Sequence, residues 1–245
     1  MESNTILIIG ANSDIGKALA EEYAKKGYKL YLTSRNSEDI FSLTKDLNIR
    51  FGVKVISYEL DVLDFDSHQK FYQNIKLKPI GIISCVGYLD EQVKSQTSWT
   101  ECLKSIQTNF TGLVSIINII AEDFEKRQSG FIVGISSVAG ERGRQSNYIY
   151  ASSKSAFTTY LDGLRNRLFA SNVHVLTVKP GFVYTKMTHH LNLPKLLTAN
   201  PSKVAQDIVK AQQKKKNILY TLWFWKLIML IIKNIPEQIF KKMKL

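Results

Sequence analysis

The stretch Thr5-Ile-Leu-Ile-Ile-Gly10-Ala-Asn-Ser-Asp-Ile-Gly16 joins a short apolar run to a glycine-containing turn, and a helical pattern follows it. A run of this length, rich in β-branched residues and bounded by a turn, predicts a buried β-strand. A turn that leads into a helix N-terminus presents backbone N–H groups and the positive end of the helix dipole, which suits a pyrophosphate. The alternative is an ordinary connection between a strand and a helix, because two glycines alone are weak evidence.

The same alternation of strand and helix patterns continues along the chain. It predicts an α/β fold with one doubly wound, seven-stranded parallel sheet, with ligands at the carboxyl ends of the strands. The predicted strands are residues 5–9, 29–33, 54–58, 80–84, 130–135, 174–178 and 217–221. The predicted helices lie near residues 15–26, 38–51, 66–77, 100–127, 147–170 and 202–213.

The domain organisation follows from the composition of the 245 residues. Residues 1–221 form a single predicted domain, and residues 222–245 form a tail of different composition. With 44% apolar and 22% charged residues, the chain is neither disordered nor fibrous. Two cysteines and four histidines supply no disulfide framework and no metal cluster, so we expect a reduced, cytoplasmic setting without a metal. The N-terminus lacks the features of a signal peptide.

The charge is strongly positive and concentrated near the C-terminus. The chain carries 33 Lys and Arg against 21 Asp and Glu, a formal charge of +12. Residues 212–245 hold eight lysines and the single acidic residue Glu237, a net of +7. This concentration beside an apolar tail favours a membrane surface as the anionic partner. We expect no nucleic-acid partner, because no recognition motif accompanies the charge.

The tail contains an apolar run, residues 222–232, with three aromatic side chains and one charge, Lys226. Spanning a bilayer takes about 20 apolar residues, so the run is too short to cross. An interfacial helix with tryptophans at headgroup depth is one interpretation, and it places the protein peripherally on the cytosolic face of a membrane. The alternative is that the tail packs on the core, covers the substrate cleft or forms a dimer interface.

The first two strands carry the evidence for a dinucleotide. The turn offers a set of candidate cofactor contacts: Gly10, Asn12, Ser13, Asp14, Ile15 and Gly16. Asp14 stands where a third glycine is usual, and a carboxylate repels a pyrophosphate unless it points away, so we expect Asp14 or Ser13 to cap the helix. A basic residue at the end of the second strand accommodates the 2′-phosphate of NADP, so Ser34 and Arg35 favour NADP(H) over NAD(H).

The end of the second strand and the end of the third strand both concern the adenosine half of such a cofactor. At the second strand, the alternative to a phosphate contact is that Arg35 is a solvated loop charge. At the end of the third strand, Asp61 and Val62 are placed to meet the adenine ring.

Tyr150 and Lys154 are four residues apart on a predicted helix, so both side chains lie on one face. The bare pattern is weak, because about one such match is expected by chance. Tyr72 with Lys76 is a second match, on a helix that precedes the fourth strand. Only Tyr150 opens the helix after the fifth strand, at the carboxyl end of the sheet.

These features together resemble the short-chain dehydrogenase/reductase family, which has a Rossmann-like fold. Five motifs occur in the family's order over residues 5–221. Besides the glycine turn and the Tyr150–Lys154 pair, they are Asn109-Phe-Thr-Gly112, Ser137 thirteen residues before Tyr150, and Pro180-Gly-Phe-Val-Tyr-Thr185. The chain departs from the family pattern at Asp14 and at Ser84-Cys-Val-Gly87, where members have Asn-Asn-Ala-Gly.

The resemblance implies an NAD(P)-dependent ketoreductase and assigns roles to the matching residues. Tyr150 is then the proton donor, and the Lys154 ammonium lowers its pKa and binds the nicotinamide ribose. Ser137 holds the substrate oxygen, and Asn109 positions a water in the proton relay. Further cofactor contacts fall on Val86, Gly87, Pro180, Gly181, Val183 and Thr185. The resemblance also implies a homodimer or homotetramer.

A narrower resemblance concerns residues 136–187. The segment Ser136-Ser-Val-Ala-Gly-Glu-Arg-Gly-Arg144 is similar to that of the decaprenylphosphoryl-2-keto-pentose reductases, which reduce the keto group of a lipid-linked sugar. Arg142 and Arg144 are the candidates for contact with the substrate's phosphate. A reductase of a fatty, sterol-like or other small apolar ketone is the alternative, and a nucleotide-binding regulator without activity is a second one.

Overall fold

The computed structural model describes residues 4–243, in which strands and helices alternate as the sequence predicts. Residues 1–3 of the predicted domain and residues 244–245 of the predicted tail lie outside the described residues. The strands are β1 Thr5–Ile9, β2 Lys29–Ser34, β3 Val55–Glu59, β4 Gly81–Ser84, β5 Gly130–Ile135, β6 Val173–Pro180, β7 Phe182–Val183, β8 Thr198–Ala199 and β9 Ile218–Thr221. The α-helices are α1 Asp14–Lys25, α2 Phe41–Phe51, α3 Ser67–Asn74, α4 Gln92–Thr97, α5 Trp99–Ile106, α6 Gly112–Arg127, α7 Tyr148–Leu168, α8 Pro201–Gln213, α9 Trp225–Asn234 and α10 Glu237–Phe240.

Within residues 4–243, seven strands form one parallel sheet in the order β3-β2-β1-β4-β5-β6-β9, and β7 pairs with β8 beside it. β1 is buried along its whole length, as expected of a central strand covered on both faces. The strand order reverses between β1 and β4, where Ile9 lies opposite Ser84. In a doubly wound sheet this reversal opens a crevice at the carboxyl ends of the two strands.

Helices cover both faces of the sheet, so the predicted doubly wound fold is confirmed. On one face, apolar side chains of α1, α2 and α8 pack on the sheet, among them Leu19, Leu47 and Val204. On the other face, α6 and α7 do so through residues such as Ile116 and Phe157. The two layers hold the strand ends rigidly, and the loops that follow the strands form the site.

The predicted long helix over residues 100–127 is interrupted around Asn109. Gln107–Thr111 forms a π-helical turn between α5 and α6. A side chain at Gly112, the next residue, would meet the Val62 carbonyl oxygen at 2.4 Å, so the backbones of the two segments approach closely. Such turns occur often at functional sites, and this one contains Asn109.

The apolar run of the tail forms α9, and one face of this helix packs on the domain. Trp225 and Met229 are buried against Val138. The Trp225 ring lies at the Gly181 backbone, where a Cβ atom would come within 2.0 Å of the indole. The indole N–H donates to the Leu197 carbonyl at 3.2 Å. The interpretation in which the tail packs on the core therefore holds for this face.

None of the helices formed by residues 4–243 is both long and apolar enough to cross a lipid bilayer.

Candidate active site

The turn after β1 has the geometry of an anion-binding helix N-terminus. Gly10 has a φ of +80°, and a Cβ atom there would lie 2.8 Å from a Val86 methyl group. The Ser13 hydroxyl caps α1, because it accepts a hydrogen bond from the Gly16 N–H at 3.1 Å. The prediction named Asp14 or Ser13 as the cap, and the structure selects Ser13.

Asp14 ties two distant segments together. It is the first residue of α1, and its Oδ2 accepts the backbone N–H of Lys186 at 2.7 Å. Lys186 belongs to the loop between β7 and β8. The carboxylate that replaces the usual glycine therefore anchors this loop to the helix terminus.

Three predicted catalytic residues line one cavity of about 300 Å³. Ser137 lies between β5 and a 3₁₀ turn that its own hydroxyl caps, since it accepts the Ala139 N–H at 3.1 Å. Tyr150 and Lys154 enter the cavity from the first turns of α7. The Lys154 ammonium is buried and donates to the Ile135 carbonyl at 3.2 Å.

The ionisation of this pair differs from the prediction. The pKa of Tyr150 is raised to about 12, mainly by burial and also by the Asp90 carboxylate, while a hydrogen bond from the Ser137 hydroxyl lowers it. Burial also lowers the pKa of Lys154 to about 8. In the protein without its cofactor, desolvation of the phenol therefore outweighs the lowering expected from the ammonium. The phenol is neutral at neutral pH, as a proton donor has to be.

Asn109 is fully buried beneath the cavity. Its amide nitrogen donates to the Tyr88 carbonyl at 2.7 Å and to the Ser105 carbonyl at 2.9 Å, and its oxygen accepts the Tyr88 N–H at 2.9 Å. A Cβ atom at Gly87 would lie 3.5 Å from the Asn109 oxygen and 3.6 Å from the Lys154 nitrogen. The side chain thus holds the segment after β4 against the π-helical turn, close to Lys154.

A second cavity of about 290 Å³ adjoins the first. It is lined by the ends of β2 and β3, including Arg35, Asp61 and Val62. The two cavities share six lining residues: Asn12, Ser13, Cys85, Val86, Gly87 and Met187. Together they form one elongated cleft across the strand-order reversal, with the capped terminus of α1 between its halves. A dinucleotide fits this cleft, because donors for its phosphates lie midway and polar groups for each end lie at the two extremes.

The predicted cofactor contacts lie along this cleft. Gly10 borders the second cavity, while Gly16 is buried in the first turn of α1. The others line the first cavity: Asp14, Ile15, Pro180, Gly181, Val183 and Thr185. The sequence did not point to Asp90, because nothing in the local pattern shows that this segment returns to the site. Met187 ends the segment of the narrower resemblance, and the structure places it between the two cavities.

The departure from the family pattern at Ser84-Cys-Val-Gly87 keeps the backbone pairing of β4 but leaves one buried side chain without a hydrogen bond. The Cys85 N–H donates to the Ile9 carbonyl at 2.8 Å, which continues the pairing of β1 with β4. Among the described residues, the buried Ser84 hydroxyl has no hydrogen-bond partner. The backbone that shapes the cleft is therefore kept, while one polar side chain beneath it is unsatisfied.

Arg142 has other partners than the predicted phosphate. Its guanidinium donates to the carbonyls of Ile232 at 2.6 Å and Ile235 at 2.8 Å, and it pairs with Glu237 at 3.0 Å. Arg144 lies against the Met229 sulfur at 3.5 Å, and burial lowers its pKa. In the part of the chain that the structure describes, neither arginine lines the two cavities of the cleft. Arg142 fastens the tail to the loop that follows Ser137.

Comparison with known proteins places this site in a family. The sequence profile of the short chain dehydrogenases matches residues 4–195, and the chain belongs to that family of oxidoreductases. The uncharacterized oxidoreductase Rv2073c of Mycobacterium tuberculosis is 27% identical over 241 residues, which cover 97% of this chain and 96% of that protein.

Two further comparisons concern a relative and a solved structure. The NADP-dependent 3-hydroxy acid dehydrogenase of Schizosaccharomyces pombe is 28% identical over 193 residues, covering 77% of this chain and 74% of its own. A short-chain dehydrogenase from Sphingobium yanoikuyae in complex with NADPH has the same fold, with a TM-score of 0.82 at 21% identity over 95% of this chain and 96% of that one.

Proposed function

We propose that the protein is an NADPH-dependent reductase of a ketone. The observation that carries this proposal is the convergence of Ser137, Tyr150 and Lys154 in a cavity continuous with the one that Arg35 borders. The Schizosaccharomyces pombe relative is NADP-dependent and the Sphingobium structure holds NADPH, which supports the cofactor.

The residues of the cavity have different roles in the proposed reduction. Bound NADPH supplies the hydride. A carbonyl oxygen that gains negative charge during reduction would accept a hydrogen bond from the Ser137 hydroxyl, which lines the cavity. The neutral Tyr150 phenol gives up its proton to the oxygen, and the Lys154 ammonium stabilises the phenolate that remains.

Arg35 is the proposed contact for the 2′-phosphate. Replacing it by aspartate removes a guanidinium and puts a carboxylate beside the phosphate, so we expect Arg35→Asp to lower the preference for NADPH over NADH by about 10- to 100-fold. The ratio of kcat/KM for the two cofactors measures the effect. Lys70→Asp, the same charge reversal on the exposed surface of α3, is the matched control. An unchanged ratio in Arg35→Asp contradicts the assignment.

The pH dependence of the reduction follows from Lys154. Its pKa lies at about 8, so the ammonium is present below that pH and is lost above it. Tyr150, with a pKa of about 12, stays protonated over the same range. The buried Cys85 thiol near Lys154 also stays protonated, because burial raises its pKa. We expect kcat/KM for NADPH in ketone reduction, which reports ionisations of the free enzyme, to fall as the pH rises through about 8. A profile that stays flat to about pH 10 contradicts this role, provided that circular dichroism shows the protein folded throughout.

The proposed substrate is a lipid-linked keto-sugar, such as a polyprenyl-phosphate keto-pentose, in the synthesis of cell-envelope glycan precursors. The resemblance of residues 136–187 supports this choice, and the apolar, basic tail fastened beside the Ser137 loop supports a cytoplasmic enzyme held peripherally at a membrane. An apolar ketone such as a 3-oxoacyl compound is the alternative, which the 3-hydroxy acid dehydrogenase relative favours.

The substrate is tested by NADPH consumption with three ketones: a polyprenyl-phosphate keto-pentose, a 3-oxoacyl thioester and a small apolar ketone. We expect the highest kcat/KM with the first. Turnover of the thioester with no turnover of the lipid-linked sugar overturns the choice and favours the alternative. We also propose a homodimer or homotetramer, for which the molar mass from light scattering is the test.

A further inference from the structure

Helix α9 has a second apolar face, opposite the one that packs on the domain. We call it the outer face of α9 and define it by Trp223, Leu227, Leu230 and Ile231. These side chains are between 51% and 74% exposed. Their spacing of four, seven and eight residues from Trp223 puts them on one side of the helix and of the turn that leads into it. Four large apolar side chains in one exposed stripe are more than scattered surface residues, and such a stripe marks an interaction surface.

The outer face is held in a fixed position. Trp225 and Met229 anchor the inner side of the helix, and Arg142 binds carbonyls at its C-terminal end. The same guanidinium lies 3.6 Å from the centre of the Phe240 ring, which fastens the segment after α9 as well. A partner therefore meets a preformed apolar surface and does not have to order it.

The charges around the outer face are positive. Lys226, Lys233, Lys241 and Lys242 are exposed on or next to α9. Glu237 is the acidic residue of this segment, and Arg142 already pairs with it. Among residues 4–243, Lys226, Lys241 and Lys242 have no acidic partner within ion-pair distance. An apolar stripe flanked by lysines is complementary to a surface that combines hydrocarbon with negative charge.

This charge pattern also distinguishes between occupants. A second copy docked through the outer face would bring two sets of the same lysines together, and like charges at close range are destabilising. A bilayer with anionic headgroups accepts the apolar side chains and attracts the lysines at the same time. The ten residues of α9 span roughly 15 Å at 1.5 Å per residue, about half of the hydrocarbon thickness, so the helix is too short to cross the bilayer.

The inner side of α9 contacts a loop that also lines the cleft. Leu197 accepts the Trp225 indole N–H, and its neighbour Leu196 is exposed. The same loop begins with Lys186 and Met187, which line the cavity that holds Tyr150. Helix α9 and the active-site cleft are therefore connected through this loop.

We propose that the outer face of α9 docks on an anionic phospholipid bilayer. This inference deepens the peripheral membrane localisation proposed above and assigns it to named side chains. It does not depend on the identity of the ketone, because binding to vesicles is measured without substrate.

The test is co-sedimentation of the full-length protein with vesicles of phosphatidylcholine containing about 30% phosphatidylglycerol. We expect the protein to bind these anionic vesicles and to bind vesicles of pure phosphatidylcholine at least about ten-fold more weakly. Binding to the anionic vesicles is expected to weaken as the salt concentration rises. The triple variant Leu227→Gln, Leu230→Gln, Ile231→Gln is expected to lose at least ten-fold in binding. Its control is the double variant Ile49→Gln, Phe169→Gln, whose native side chains are 85% and 82% exposed elsewhere on the molecule.

Three outcomes overturn the inference. The first is no binding to anionic vesicles at low salt, and the second is equal binding by the triple variant and its control. The third is a molar mass of the triple variant in solution below that of the wild-type protein, which assigns the outer face to a second copy. Circular dichroism and the reduction of a small soluble ketone by the triple variant show whether it is folded. Failure of vesicle binding with normal reduction rejects the docking surface alone, while absence of reduction in the wild-type protein rejects the proposed reductase alone.

Discussion

Tyr150→Phe is expected to lower kcat for ketone reduction by about 10²- to 10⁴-fold, the usual contribution of a positioned proton donor. The phenol carries the proton that the carbonyl oxygen needs, and phenylalanine keeps the ring while removing it. Because burial keeps the phenol neutral at neutral pH, no other ionisation state has to be populated first. Single-turnover kinetics with NADPH and a saturating ketone measure the effect.

Binding of NADPH separates this role from a structural one. We expect Tyr150→Phe to bind NADPH within a few-fold of the wild-type Kd, measured by fluorescence of the cofactor, because the cleft's backbone donors are unchanged. Tyr148→Phe is the matched control, since Tyr148 lies two residues earlier on α7 and is exposed. A Tyr150→Phe enzyme that retains wild-type kcat removes the proposed mechanism.

Trp225→Ala is expected to lower the free energy of unfolding by about 3–5 kcal/mol, the usual cost of truncating a buried tryptophan. The side chain is 3% exposed, lies edge-on to Phe182 with ring centres 5.2 Å apart and donates to the Leu197 carbonyl. Its removal leaves a cavity beneath α9 and an unpaired carbonyl. For a chain of this size the loss corresponds to a fall in Tm of roughly 10 °C.

Trp223→Ala is the matched control for Trp225→Ala. Trp223 is two residues away and exposed, so its truncation is expected to change stability by no more than about 0.5 kcal/mol. Chemical denaturation of both variants measures the difference. Equal stabilities of the two variants contradict the packing of the inner side of α9 on the domain.

The sheet shows which elements local sequence patterns predict correctly. β1 and β5 have the predicted bounds, and the other predicted strands differ by one or two residues at their ends. This agreement has a physical reason: a central parallel strand is buried on both faces, so its own residues are nearly all apolar. The additional helix α4, the β7–β8 pair and the π-helical turn were not predicted, because they are too short to show a period.

In the candidate site, too, some features were predictable from the sequence and others were not. The motif order placed Ser137, Tyr150 and Lys154 at one edge of the sheet, and the structure brings them into one cavity. The pKa of Tyr150 could not be predicted, because it depends on how much water the surrounding elements exclude and on the carboxylate of Asp90, sixty residues away. The sequence shows only the neighbouring ammonium, which lowers the pKa, whereas the net pKa is raised by desolvation of the phenol.

By itself the sequence determined the alternating α/β fold, the glycine turn at the first strand and the helical face shared by Tyr150 and Lys154, because each depends on residues close together in the chain. Only the tertiary structure decided which partners the charged residues take. Asp14 accepts the N–H of a residue 172 positions away, and Arg142 holds carbonyls 90 and 93 positions away. Such pairings depend on how whole elements pack, since a charged side chain binds whichever polar group the folded backbone brings within hydrogen-bonding distance.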